Sequence, residues 1–186
     1  MNSKRIILAG GSGFLGQRLA RTFAAGGGEM IVLSRTPRPE PQTPREVAWD
    51  GRTVGEWARE LEGADAVINL AGRSVDCRYH ASNRRLILDS RVDSTRVLGE
   101  AIRRCQRPPR VWLNSSTATI YKHSLDRAND EATGEIGATP EAKDAFSVEV
   151  AVAWERAFAE APTPATRKVA LRSAMLLEFS HTRGGL

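Results

Sequence analysis

The sequence predicts an α/β fold, a parallel sheet doubly wound by helices on both faces. Three observations carry that prediction. Six short apolar runs recur along the chain, stretches with helical spacing or turn chemistry separate them, and the first run passes straight into a glycine turn and a helix. Strands that alternate with helices favour parallel pairing, because each strand needs a crossover to reach the next in the same direction. Right-handed crossovers then narrow the topology to an open sheet of strand order 3-2-1-4-5-6, with its ligand crevice at the carboxyl edge where the order reverses.

Each element has its own signal. Arg5-Ile6-Ile7-Leu8-Ala9 reads as a buried strand, and residues 17–25 as a helix with Leu15, Leu19 and Phe23 on one face. Met30-Ile31-Val32-Leu33 is a second strand ending at Ser34-Arg35. Pro37, Pro39, Pro41 and Pro44 make the next stretch a loop, since proline removes donors and pushes its neighbours towards extended forms. Glu46-Val47-Ala48-Trp49 is a short third strand and Asp50-Gly51 a turn, after which Val54, Trp57, Ala58 and Leu61 recur at helical spacing. Residues 66–70 form a fourth strand. Residues 82–104 form a long helix with Leu86, Val92 or Asp93, Val97 and Ile102 near its buried side, stopped by Pro108-Pro109. Val111-Trp112-Leu113 starts a fifth strand, residues 146–161 form a helix, and Val169-Ala170-Leu171 begins a sixth strand.

The glycine turn, Gly10-Gly11-Ser12-Gly13-Phe14-Leu15-Gly16, gives the fold a function class. Its spacing is Gly-x-x-Gly-x-x-Gly, one residue wider at the first gap than the commoner dinucleotide fingerprint. Gly10 lets the chain turn out of the strand, Gly13 lets a pyrophosphate approach the backbone, and Gly16 lets the helix pack closely. The amides at the helix start, around Phe14 and Leu15, then face the phosphate with the help of the helix dipole. A strand-to-helix turn that binds nothing is the plainer alternative. With the strand before it and the helix after it, the expected fold is a Rossmann-type dinucleotide-binding domain.

A chain of 186 residues is most simply one domain, here 1–186. Its 41% hydrophobic and 26% charged residues read as an ordinary globular protein. No apolar run approaches the ~20 residues that span a bilayer, and the first strand starts so early that no signal peptide is expected. Cys77 and Cys105, with His80, His123 and His181, show no metal-ligand spacing, so no metal is expected and the thiols read as those of a cytoplasmic protein. The net charge of +5 comes from scattered arginines, with Lys4, Lys122, Lys143 and Lys168 the only lysines. An anionic small ligand and solvated helix faces account for it better than nucleic acid does.

By these residues the chain resembles an extended short-chain dehydrogenase/reductase, in the atypical epimerase-like or cell-division-inhibitor-like subgroup. The glycine turn resembles the family's Gly-Gly-Thr-Gly-Phe-Ile-Gly. Asp65-Ala66-Val67-Ile68-Asn69-Leu70-Ala71-Gly72 resembles its strand-four signature, and Asp89-Ser90-Arg91-Val92-Asp93-Ser94-Thr95-Arg96 its Ser-Arg-x-x-x-Thr-Arg helix segment. Trp154-Glu155 resembles its late-helix pair, read here as helix packing with a surface or buried pair rather than a catalytic unit, and Leu171-Arg172 and Gly184-Gly185-Leu186 resemble its sixth strand and following loop. Such proteins are usually much longer, so the chain is expected to be the cofactor domain without the C-terminal substrate-binding part. Taken alone it is expected to bind cofactor with little or no turnover.

For the cofactor, the residues after strand two discriminate. A carboxylate there suits the ribose of NAD, an arginine the 2′-phosphate of NADP. Ser34-Arg35 ends the strand, Arg38 is near and no carboxylate occurs before Glu40, so NADP(H) is preferred over NAD(H). The resemblance further implies that Asp50 lies near the adenine, that Leu70, Ala71 and Gly72 pass the adenine ribose, and that Ser115 belongs to the cofactor-contacting set. Asp50-Gly51 as a simple turn is the alternative.

For catalysis, the resemblance implies a Ser or Thr, a Tyr and a Lys four residues after the Tyr. Ser115-Ser116-Thr117-Ala118-Thr119-Ile120-Tyr121 matches the strand-five segment and puts Thr117 at the hydroxyl position. Tyr79 is followed four residues later by Asn83 and Tyr121 by Leu125, and the expected helix carries neither Tyr nor Lys. The usual pair is therefore absent. Tyr121 at the carboxyl edge, Glu131 in the following loop, and Arg91 where many relatives carry Asn are the candidates to replace it, with Arg172 a candidate for an anionic substrate. Strand-end packing, a solvated charge and a helix ion pair are the plainer readings of Tyr121, Glu131 and Arg91, as a threonine satisfying backbone groups is of Thr117 and a solvated loop arginine of Arg35. Three functions follow: an NADP(H)-dependent oxidoreductase or epimerase of an unidentified small carbonyl or sugar-nucleotide-like molecule, a non-catalytic NADP(H)-binding sensor or scaffold, and, least favoured, a nucleic-acid binder. A homodimer is the candidate assembly.

Overall fold

The computed structural model describes residues 4–39 and 43–176. Glu40, Pro41, His181 and the 184–186 segment lie outside these. Six parallel strands form one sheet in the order β3-β2-β1-β4-β5-β6. They are β1 (Arg5–Ala9), β2 (Glu29–Ser34), β3 (Arg45–Ala48), β4 (Ala66–Asn69), β5 (Val111–Thr117) and β6 (Arg167–Ser173). Three α-helices, α1 (Phe14–Ala25), α2 (Ala81–Arg104) and α3 (Ala145–Glu160), supply the layers. No helix among the described residues is long and apolar enough to cross a membrane.

The central strands β1, β2 and β4 are apolar on both sides because both faces of the sheet are covered there. Ile6, Leu8, Met30, Val32 and Ile68 pack under α1 with Leu19, Ala20 and Phe23. Ile7, Ala9, Ile31, Leu33, Val67 and Trp112 face the other way, against Val97, Leu98, Ala101 and Ile102 of α2 and Phe158 of α3. Trp112 meets Phe158 edge-on at 4.7 Å between ring centroids. The Lys168 ammonium on β6 donates to three carbonyls at the end of α3, those of Phe158, Ala159 and Ala161 (2.8–3.1 Å). It thereby supplies acceptors that a helix end otherwise leaves orphaned with a cation suited to the dipole.

Two sequence expectations need correction. Leu86 is 40% exposed while Ile87 is buried, because the buried face of α2 runs through Ile87, Ser94, Leu98 and Ile102 at helical spacing. Residues 54–61 do not form an α-helix. The segment is a short 3-10 helix, Glu56–Leu61, opened by Gly55 and too brief to propagate, which nonetheless buries Trp57 and Leu61.

Candidate functional site

The strand order reverses between β1 and β4, and the crevice there is built from the glycine turn and the end of β4. Gly10 has φ +74°, and a β carbon on it would lie 2.7 Å from the Ala71 backbone. The two loops therefore touch main chain to main chain. Gly16 seats α1 on the turn itself, since a β carbon there would lie 2.5 Å from Gly11 Cα and O. Gly13 differs from both: a β carbon on it would meet nothing within 4 Å, and the residue is exposed. α1 starts beside it with no side-chain cap and no acid in its first turn. Phe14 is exposed and Leu15 half-buried at that start. Open backbone approach, unsatisfied amides and the positive end of a dipole together fit a pyrophosphate.

The end of β4 is held from below by a buried polar network. Asn69 is fully buried. Its Nδ2 donates to Asn114 Oδ1 on β5 (2.7 Å) and to Thr95 Oγ1 on α2 (3.3 Å), and its Oδ1 accepts from the Ala71 amide (3.0 Å). The Trp154 indole N–H on α3 donates to the same Thr95 hydroxyl (2.9 Å). Four elements are thus pinned behind Leu70, Ala71 and Gly72. The Trp154 reading as helix packing was incomplete, because its indole also closes this network. The signal was available in sequence: Asn69 and Asn114 each close an apolar run, Val67-Ile68 and Val111-Trp112-Leu113, and the two asparagines are partners in the sheet register.

At the end of β2, Ser34 is buried and its hydroxyl accepts from the Thr36 amide (3.4 Å), and Arg35 is exposed directly after it. An open pocket of about 360 Å³ lies between this strand end, α1 and the glycine turn, lined by Ser12, Gln17, Arg21, Ser34, Thr36 and Arg38 among others. Its one acid among the described residues, Glu46, is occupied by Arg38 (2.7 Å). Asp50 commits both carboxylate oxygens to its own turn, accepting from the amides of Arg52 (2.8 Å) and Thr53 (2.9 Å) and from the Thr53 hydroxyl (2.6 Å). The Thr53 hydroxyl and these amides lower its pKa to about 2.

At the end of β5 lies a cluster the sequence did not reveal. Arg172 on β6 grips Glu155 of α3 with two bonds (2.8 and 2.7 Å) and donates to the Tyr121 hydroxyl (2.6 Å), while Ser116 donates to the same carboxylate (2.5 Å). Burial raises the Glu155 pKa, but the Arg172 fork and the Ser116 hydroxyl outweigh it and hold the group below the usual carboxylate range. Tyr121 is 9% exposed and Gly134 packs against its ring. Thr117 accepts from the Thr119 amide (3.2 Å) and donates to the Thr119 hydroxyl (3.0 Å), while remaining half-buried. Ser115, half-buried beside it, receives the Asn114 amide on its carbonyl (3.0 Å). Glu131 is exposed in the turn that Asp130 organises, with no hydrogen bond to Thr117 or Tyr121. α3 carries neither Tyr nor Lys.

Arg91 of α2 lies against Gly72. A β carbon on that glycine would stand 3.2 Å from the guanidinium carbon, which also sits 5.3 Å from the Trp154 ring centroid. Arg91 is thereby brought to the β4 edge of the crevice, whereas Arg172 is sequestered in the Glu155 cluster.

The comparisons with known proteins agree with this geometry. The NAD dependent epimerase/dehydratase family matches residues 6–145. The epimerase family protein SDR39U1 of Bos taurus is 31% identical over 176 residues, 93% of this chain and 54% of that protein. The crystal structure of human SDR39U1 (isoform 2) with NADPH has a TM-score of 0.72 at 30% identity, over 90% of this chain and 52% of that one. MoeE5 in complex with UDP-glucose and NAD has a TM-score of 0.69 at 21% identity, over 90% of this chain and 53% of that one, a likeness of fold alone. The chain spans about half the length of the curated SDR39U1 relatives it matches.

Proposed function

The chain belongs to the NAD dependent epimerase/dehydratase family, and on that premise we propose that it binds NADP(H) in preference to NAD(H) and serves oxidoreductase or epimerase chemistry on a small carbonyl or sugar-nucleotide-like substrate. The observation that carries the reading is the open backbone at Gly13 beside an uncapped helix start, next to a strand end where Ser34 and Thr36 line a pocket whose acid among the described residues is paired, with Arg35 exposed after the strand. The NADPH in the human relative supports the same cofactor.

The residues divide the work by position. The turn and the first amides of α1 hold the pyrophosphate. Arg35, exposed just after β2, takes the 2′-phosphate through a charge-assisted fork. Asn69 fixes the Ala71 amide and so the segment along which a ribose lies. A nicotinamide, when bound, supplies the hydride donor or acceptor. Thr117 offers a hydroxyl to a substrate oxygen. The Tyr121 hydroxyl accepts from Arg172 and leaves its own proton to donate, the role of a general acid just after β5.

A second reading, cofactor binding without turnover, is favoured by the lack of Tyr and Lys on α3. Hydride transfer from NADPH to a panel of carbonyl compounds, measured on the whole protein, separates the two. Loss of turnover in Thr117→Ala with unchanged NADPH affinity supports the enzyme. Absence of transfer across the panel supports binding alone. In parallel, Arg35→Asp should lose the preference for the phosphorylated cofactor.

A further inference from the structure

Arg91 pairs with no carboxylate among the described residues. The other half-buried arginines among the described residues each hold a carboxylate: Arg5 and Arg45 share Glu60 at 2.7 Å, and Arg172 takes Glu155 at 2.7 Å. Arg91 instead spends Nη1 on two backbone carbonyls, those of Ile87 (3.0 Å) and Arg73 (3.1 Å). Its Nε and Nη2 have no protein acceptor among the described residues. These two nitrogens form one planar edge of the guanidinium, the edge that matches the two oxygens of a carboxylate or phosphate. The carbonyls below and the Trp154 ring, 5.3 Å from the guanidinium carbon, orient that edge in advance. Burial lowers the pKa of the group, so the protein holds this cation at a cost.

The place matters as much as the charge. Arg91 touches Gly72 at the carboxyl end of β4, so it borders the crevice and not the outer surface of α2. Tyr79 lies within electrostatic reach of it and stacks edge-on with Phe146 at 5.4 Å, giving the neighbourhood an apolar wall.

We propose that Arg91 is the anchor for a carboxylate or phosphate group of the substrate, so that the small molecule handled at this edge is an anion. The proposal rests on the reading of the crevice as the cofactor and substrate site, and narrows its substrate class. The same oxyanion chemistry has a second source in the cofactor's own phosphates, and the experiment separates them.

The test is a titration of the isotope-labelled chain with inorganic phosphate and with oxalate, without and with saturating NADPH. It follows the Arg91 Nε–H and Trp154 indole resonances. Both should shift saturably in both states, and an equal concentration of chloride should not reproduce the shift. Arg91→Gln should abolish the response and Arg91→Lys, which keeps charge but not the fork, should weaken it about tenfold. NADPH affinity should change less than about twofold in either variant. No saturable shift in the wild-type chain overturns the proposal. So does loss of the response on adding NADPH together with about a tenfold weaker NADPH affinity in Arg91→Gln, which would give the arginine to the cofactor. The titration without NADPH decides the matter even if the cofactor reading itself fails, and Arg91→Lys decides it if Arg91→Gln does not fold.

Discussion

Gly10 and Ala71 meet backbone to backbone: a β carbon on Gly10 would stand 2.7 Å from both Cα and N of Ala71. The glycine turn after β1 and the loop after β4 are therefore one unit. Gly10→Ala must relieve this clash and also hold φ near +74°, a conformation that disfavours a side chain by about 1–2 kcal/mol. The variant should lose at least about 2 kcal/mol of stability in urea unfolding. NADPH affinity should fall with it.

Gly13→Ala separates binding from folding. Gly13 has φ −77° and ψ 174°, which alanine adopts freely, and nothing lies within 4 Å of the added carbon. Stability should stay within about 0.5 kcal/mol of wild type. NADPH affinity should drop about tenfold or more, because the methyl stands where the phosphate approaches. An unchanged affinity would mean that the turn is structural only.

The Glu155–Arg172 clasp predicts an acid-sensitive stability. Glu155 has its folded pKa depressed below its ordinary value of 4.5. Its contribution is therefore fully present above about pH 4.5 and is lost as pH falls through the folded value. Thermal melts from pH 7 downwards should show this loss in the wild type and a shallower fall in Glu155→Gln. At pH 7 that variant should be weaker by about 2–3 kcal/mol, since it strands the half-buried Arg172 charge.

Asn69→Ala tests the network behind the β4 loop. It orphans the Ala71 amide and removes the strongest partner of Asn114. Each unsatisfied buried group costs about 1–3 kcal/mol. Hydrogen exchange should accelerate at Ala71, and NADPH should bind more weakly than the stability loss alone explains.

The strand order and the three main helices were legible because each strand is an apolar run closed by glycine, proline or a polar turn. The glycine turn was legible because its chemistry is local. Leu86 misled because the buried face of α2 runs through Ile87 instead. The 54–61 segment misled because its spacing fits a 3-10 turn as well as an α-helix. The clasp of Ser116, Tyr121, Glu155 and Arg172 was hidden, because it depends on the β5–β6 register that sets Ser116 beside Arg172. Each member, taken singly, reads as an ordinary polar residue. Thr117 and Arg91 were found through resemblance, but only the structure shows one bonded to Thr119 and the other without a carboxylate.

Dinucleotide binding with a preference for the 2′-phosphate underlies every role assigned to the crevice. Calorimetric titration of one preparation of the chain with NADPH and with NADH tests it most directly. Saturable one-to-one binding of NADPH, at least about tenfold (~1.4 kcal/mol) tighter than NADH, is the predicted result. NADH binding as tight as NADPH would contradict the role given to Arg35, and heat from neither would contradict the site itself.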